Sequence, residues 1–272
     1  MARMKPETPV SRYSELIEAV FLEHYSPGVD QFTFDRDELV QHARRRRIRL
    51  PKNLGDVIYS FRYRKNLPEK IQATAPEGMS WLIRSAGVGR YRFVLTKGEI
   101  RFKPNALMSV TKIPDSTPGL ISRYALNDEQ ALLAIIRYNR LLDIFTRVAC
   151  YSLQSHLRSS LPAIGQVETD EIYVGVDRQG AHYVFPVQAK GQKDTLGTLQ
   201  IEHDIHLCRH KFPGLICRPI AAQFARGRTV VLFEFDDNAQ ELRLVRECHY
   251  RLVNPDEISR EEMERYRTLS DE

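Results

Sequence analysis

The sequence predicts a mixed α+β and α/β protein in two parts, a small helix-and-hairpin N-terminal third followed by a mixed sheet flanked by helices. Three observations predict it. The N-terminal third alternates short helical and strand-like runs and closes on a Gly-rich hairpin. The C-terminal part carries two adjacent alternating runs, residues 166–177 and 181–190, set between helical segments, with Arg178, Gln179 and Gly180 as the turn. Charge divides the same way: residues 1–104 hold 20 Lys plus Arg against 12 Asp plus Glu, net +8, while the remaining 168 hold 20 against 23, net −3.

In order along the chain, residues 13–24 place Leu16, Ile17, Val20 and Phe21 at helical spacing, and a brief strand at 31–34 follows a Pro-Gly turn. Asp35 reads as the N-cap of a helix of about ten residues ending near Arg44. Pro51 breaks the chain before a helix at 53–63, and residues 80–95 read as a hairpin turning at Ala86-Gly87-Val88-Gly89. Pro104, Pro114 and Pro118 interrupt a stretch of little periodicity, which gives expected domains of 1–104 and 126–272 around a linker of 105–125. Asn127 then reads as a cap, and Leu132, Leu133, Ile136, Leu141, Leu142, Phe145 and Val148 continue at helical spacing to about Leu157, as one helix or two. After the central hairpin, residues 195–212 read as an amphipathic helix, 215–224 as an apolar strand, 229–236 and 242–250 as a closing strand pair, and 259–268 as a charged helix.

Several function classes find no support in the residues. The chain has no apolar run of membrane-spanning length and no N-terminal hydrophobic stretch of signal type, so no membrane partner is expected and a cytoplasmic location is. Four cysteines without framework spacing suit a reducing compartment. Gly87-Val88-Gly89 sits in a hairpin and precedes no helix, so it does not read as a phosphate-binding loop. His203, His206, Cys208, His210 and Cys217 are potential zinc ligands but lack paired Cys-x-x-Cys spacing.

The basic third points to nucleic acid. Arg44, Arg45, Arg46, Arg47 and Arg49 precede the 53–63 helix, and Lys52, Asn53, Arg62 and Arg64 lie on or beside it. Arg90 and Arg92 flank Tyr91 on the hairpin. Such cations neutralise phosphates and release counterions, giving affinity without sequence information. Helix, strand, helix, helix and two-stranded wing is an order that resembles the winged-helix fold over residues 11–96. That resemblance implies double-stranded DNA as a partner, with Asn53 and Asp56 near the start of the candidate recognition helix.

In the hairpin, regular alternation would put Glu168, Asp170 and Ile172 on one side, with Gln188 and Lys190 on the same side of the partner strand. A carboxylate heading an apolar strand face needs a cation beside it, and both Lys190 and a metal ion meet that need. Asp170 followed by Gln188-Ala189-Lys190, within a helix, strand, strand, helix, strand order over residues 141–224, resembles the PD-(D/E)xK nuclease superfamily. The similarity is to its QxK branch, that of Mrr-like restriction endonucleases. Thr169 stands where the name-giving Pro would be, and Gln188 replaces an acid.

The resemblance implies a Mg²⁺-dependent endonuclease, with Mn²⁺ as a substitute, acting on duplex DNA as a homodimer, with a cognate methyltransferase as a further possible partner. Asp170, Gln188 and Lys190 would be catalytic, and Asp170, the Gln188 amide oxygen and the Ala189 backbone carbonyl would hold the metal. Glu168 or Glu171 would supply a second acid, and strand parity favours Glu168. Gln200, on the following helix, is a further residue near the site. Two other readings stay open: a non-catalytic DNA-binding regulator with a degenerate nuclease fold, and a nuclease acting on RNA or branched DNA.

Overall fold

The computed structural model describes residues 12–98, 100–124, 128–162, 164–238 and 241–268. These divide into two compact units. One holds the chain up to Arg101 with Ser160–Gln166 and Gly197–Leu199, and the other holds Phe102–Ser159, Val167–Leu196 and the chain from Gln200 onward.

In the first unit, α1 (Arg12–His24) leads to β1 (Gln31–Asp35) and α2 (Arg36–Arg46). Glu38 Oε1 accepts the Asp35 backbone N–H at 2.8 Å, so the first turn of α2 is tied back to its cap as the sequence suggests. Arg47 ends α2 in the left-handed region, φ 56°. There follow α3 (Gly55–Tyr59), which runs into a π-helical turn at Ser60–Arg64, and a one-turn α4 (Glu69–Gln72). The hairpin of β2 (Met79–Ser85) and β3 (Arg90–Lys97) completes a three-stranded antiparallel sheet in the order β1-β3-β2.

Apolar residues of α1 spaced three and four apart bury Leu16, Ile17, Val20 and Phe21 against this sheet. The Phe21 ring centroid lies 5.2 Å from that of Trp81 and 5.0 Å from that of Phe93. Complete burial of such side chains contributes roughly 1.5–3 kcal/mol each. The Trp81 indole N–H still finds an acceptor, Thr74 Oγ1 at 3.0 Å.

The second unit is a mixed sheet flanked by helices. Its elements are β4 (Arg101–Phe102), β5 (Val110–Pro114), α5 (Gly119–Tyr124), α6 (Glu129–Tyr138), α7 (Leu141–Thr146), β6 (Ala149–Leu161), β7 (Gly165–Val176) and β8 (His182–Lys190). Then come β9 (Leu196–Gly197), α8 (Thr198–Lys211), β10 (Ile216–Cys217), β11 (Ile220–Ala225), β12 (Thr229–Asn238), β13 (Glu241–Val253) and α9 (Arg260–Thr268). Of these, β4, β6, β7, β9 and α8 each have residues assigned to both units. The strand order is β5-β13-β12-β11-β8-β7-β6, with β10 also beside β8.

Strand β8 passes through α8 to β11, which runs parallel to it with Ala221 opposite Gln188 and Ala222 opposite Ala189. A parallel neighbour requires such a crossover. On one face α6 and α7 pack Leu132, Leu133, Ile136 and Phe145 with Tyr173, Phe185, Val187 and Ala189. On the other face α8 packs Ile201 and Ile205 with Ala221 and Phe233, and Cys208 with Ile172 and Val184. No helix among the described residues is long and apolar enough to cross a membrane.

Three expectations need correction. The helical spacing read to Leu157 stops at Thr146: Arg147 takes a left-handed conformation, φ 58°, and residues 149–161 form a strand. That strand buries almost nothing along its middle, with Tyr151 and Leu153 more than half exposed, so no period-two burial pattern marks it. The stretch read as a linker contains β5, paired in parallel with β13, and α5. Asn127, read as a cap, lies outside the described residues, and α6 is capped by Asp128, whose Oδ1 accepts the Ala131 N–H at 2.9 Å.

Candidate active site

The β7–β8 ladder is regular from Glu171 opposite Val187 to Val176 opposite His182. Within it, alternation sends Ile172 and Val184 toward α8 and Tyr173, Phe185 and Val187 toward α6 and α7. Upstream of Glu171 the alternation slips by one residue. The Thr169 hydroxyl donates to Asp204 Oδ1 of α8, and Gln188 Nε2 donates to the same oxygen at 3.2 Å. It is therefore Thr169, and not Asp170 as simple parity predicts, that stands beside Gln188 over α8. Gln188 Nε2 also reaches the Glu168 carbonyl at 3.3 Å, bridging the strands with a side chain where the ladder has ended.

Asp170 lies across the backbone of the Gln188-Ala189-Lys190 run. Its Oδ2 accepts the Ala189 N–H at 2.8 Å. Burial pushes its pKa above the ordinary carboxylate value, opposed by the Lys190 charge and by the Ala189 N–H. Lys190 is largely enclosed, and its Nζ pairs with Glu129 Oε1 of α6 at 3.2 Å. The carboxylate and the amine singled out in sequence thus come together at the C-terminal end of β8, while the Gln188 amide nitrogen is directed to Asp204 of α8. In sheets with parallel crossovers, that end of a strand is where ligands characteristically bind.

The candidate second acids diverge. Glu168 points to Arg158 Nε at 2.9 Å and His156 Nδ1 at 3.2 Å, and the Arg158 guanidinium holds its pKa below the ordinary range. Glu171 is fully buried on the α6 side, its Oε1 taken by Arg137 Nη2 at 2.6 Å and by the Ser152 hydroxyl at 2.5 Å. Gln200 is half-buried, and its Oε1 has no hydrogen-bond partner among the described residues.

Sequence reasoning missed Asp204 and Glu129. Asp204 is completely buried, and desolvation pushes its pKa from 3.8 to about 8, while its Oδ2 finds no partner among the described residues. The available signal was an acid within the apolar stripe formed by Ile201, Ile205 and Cys208. Glu129 left only a first-turn acid of α6 to read.

Among the described residues, no group of three or more His, Cys, Asp or Glu is arranged to hold a metal. A closed all-carboxylate cage is therefore not what these residues build. Mg²⁺ needs less, because it keeps several waters and takes one or two carboxylates together with substrate phosphate oxygens. Asp170 fits that pattern: one oxygen is fixed by Ala189, and its Oδ1 accepts no hydrogen bond among the described residues. Gln188 fits as well, because its nitrogen is spent on Asp204 and the Glu168 carbonyl, leaving its oxygen as the ligand end.

In the N-terminal unit, Arg44, Arg45, Arg46, Arg47, Arg49 and Lys52 are all exposed, as are Arg64, Arg90 and Arg92. Arg62 is half-buried over the Tyr63 ring, 4.9 Å from its centroid, and Arg64 lies 5.0 Å from that of Tyr59. Arg92 Nη1 donates to Gln31 Oε1 at 3.2 Å. Asn53 is occupied locally: its Oδ1 accepts the Gly55 N–H at 3.0 Å and its Nδ2 donates to Asp56 Oδ1 at 2.9 Å. These local bonds in the turn before α3 tie up the amide that base reading would use.

No protein-family model matches this chain, and neither a curated protein nor a solved structure does.

Proposed function

We propose that the chain is a metal-dependent endonuclease of restriction type acting on duplex DNA, similar to the QxK branch of the PD-(D/E)xK superfamily. The observation that carries this reading is the Asp170 carboxylate seated on the Ala189 N–H, between Gln188 and Lys190, where β8 enters the crossover to β11. The N-terminal unit would act as a winged helix that holds DNA. Its support is the element order α1, β1, α2, α3, β2, β3, with the one-turn α4 inserted before β2, the pairing of β1 with the second hairpin strand, and the exposed arginine run that begins in the last turn of α2.

When bound, Mg²⁺ neutralises a phosphate oxygen and lowers the pKa of a coordinated water. Asp170, the Gln188 amide oxygen and the Ala189 carbonyl would hold it. Asp204 and Thr169 act one step back: Asp204 grips the nitrogen end of Gln188 and so fixes which end of the amide faces the site. Lys190 carries the positive charge that would meet the phosphate, exchanging its Glu129 partner for the more highly charged group. A homodimer would supply the second cut of a duplex.

A second reading, a DNA-binding regulator without catalysis, is favoured by the Lys190–Glu129 pair and by the single carboxylate directed at the site. The deciding experiment incubates methylated and unmethylated plasmid with the protein in Mg²⁺, Mn²⁺ or EDTA, beside the Asp170→Ala and Lys190→Ala variants. Metal-dependent cutting lost in both variants is expected. Intact DNA binding with no cutting on either plasmid selects the regulator, and cutting of RNA or junction substrates alone would move the substrate class.

A further inference from the structure

The turn between β11 and β12 presents two arginines, Arg226 and Arg228, on either side of Gly227. Both are exposed, and neither makes an ion pair or hydrogen bond among the described residues. Arg228 is held in the left-handed region, φ 58°, where Gly or Asn is the usual occupant. The two line a cavity of about 570 Å³ within the second unit. Ser122 of α5 and Asp115 line the same cavity, and its apolar lining includes Ile135 and Phe224. Asp115 Oδ1 is fixed by the Thr117 N–H at 2.8 Å, which leaves Oδ2 as an oriented acceptor.

This volume lies within the range of small-molecule sites, which pair an apolar wall with a few fixed polar groups. The polar groups here are chemically sorted. Two guanidiniums with a hydroxyl suit a phosphate, since guanidinium donors form paired, charge-assisted bonds to its oxygens. A hydrophobic wall suits the face of a base, and a carboxylate that can only accept suits an amino group on its edge. A simple inorganic anion would leave the apolar wall unused, and an apolar ligand would leave two arginines without partners.

We infer that this cavity binds a nucleoside 5′-phosphate, with Arg226 and Arg228 on the phosphate and Phe224 and Ile135 against an amino-bearing base. The ligand is either a free mononucleotide or a phosphorylated unit of a nucleic-acid strand. The inference does not rest on the nuclease reading, because none of these residues belongs to the Asp170, Gln188 and Lys190 group. Gln192 also lines the cavity, two residues beyond Lys190, so a strand unit held there would lie along the chain leaving the candidate active site.

The test is isothermal titration of the full-length protein in EDTA with deoxyguanosine and deoxycytidine 5′-monophosphates, and with a dinucleotide bearing or lacking a 5′-phosphate. Saturable binding of a phosphorylated probe is expected, weakened at least about ten-fold by removing the phosphate and by the double change Arg226→Ala and Arg228→Ala, the scale of losing a hydrogen bond to a charged group. Ser122→Glu, an exposed change that sets a negative charge against the phosphate, should weaken binding in the same direction. Binding of the mononucleotides identifies a free nucleotide as a ligand, and binding of the phosphorylated dinucleotide alone identifies a strand. No saturable binding of any phosphorylated probe, or binding indifferent to the phosphate or to the two arginines, overturns the inference. A chain that binds these probes and never cuts DNA would sustain it while defeating the nuclease reading.

Discussion

The Ala189 backbone N–H donates to Asp170 Oδ2 at 2.8 Å, so the carboxylate is oriented by the very segment that carries Gln188 and Lys190. An acid placed this way is aimed and also partly withdrawn from water. Burial is the largest influence on it and raises its pKa, so the ionised form is held at a loss to folding stability.

Replacement of Asp170 should therefore separate function from stability. A carboxyl whose folded pKa lies above its unfolded value stabilises fully below the unfolded pKa and loses that contribution as pH rises through the folded one. At neutral pH, Asp170→Asn is expected to melt at or above the wild-type temperature in EDTA, while metal-dependent cleavage falls at least about 100-fold, the scale of losing one electrostatic stabiliser. Calorimetry beside a plasmid assay checks both. A variant that loses activity only because it unfolds would remove Asp170 from the proposed chemistry.

Asp204 gives the sharper pH signature. Its pKa rises from 3.8 to about 8 through burial, so its contribution is present below about pH 4 and is lost as pH climbs toward 8. In EDTA, the melting temperature of Asp204→Asn relative to wild type should increase steadily across that window and level off above it. Other titrating groups are common to both proteins and cancel in the difference. A gap that stays flat from pH 4 to 8 would mean that Asp204 ionises normally.

The arginine run makes a claim about salt. If Arg44, Arg45, Arg46, Arg47 and Arg49 meet DNA phosphates, each contact adds about 0.9 to the magnitude of the log–log salt slope of binding. Changing all five to Gln should flatten the slope by about two or more, with little effect on melting because the side chains are exposed. Fluorescence anisotropy over a salt series measures it. An unchanged slope would place the DNA surface elsewhere.

Legibility in the sequence followed burial. The α1 stripe, the Asp35 helix start and the β2–β3 hairpin were readable because each pairs a one-sided apolar pattern with local turn or cap chemistry. Strand β6 was not, since its middle buries neither face and its apolar residues happen to fall at helical spacing. At the site, Asp170, Gln188 and Lys190 were legible as residue types at a spacing. The slip that brings Thr169 rather than Asp170 beside Gln188 was not, because it depends on Asp204 arriving from α8, a tertiary partner that alternation within one strand cannot reveal.

Glu171 and Arg137 provide the last test, because they decide whether the buried acid next to Asp170 belongs to chemistry or to packing. Glu171 is fully enclosed, and Arg137 Nη2 lies 2.6 Å away with its own side chain about 46 % exposed. Removing the arginine strands a buried charge, a change that costs about 3–5 kcal/mol in a fully buried pair and less here, because water reaches the guanidinium. Arg137→Ala should thus lower the melting temperature clearly. The double change Arg137→Leu and Glu171→Leu should recover much of that loss, since an apolar pair of similar volume often replaces an ion pair without penalty. Glu171→Gln should keep the Ser152 contact and most cleavage activity. Loss of cleavage in a normally folded Glu171→Gln protein would instead make Glu171 the second acid of the site, with Arg137 as the group that holds it in reserve.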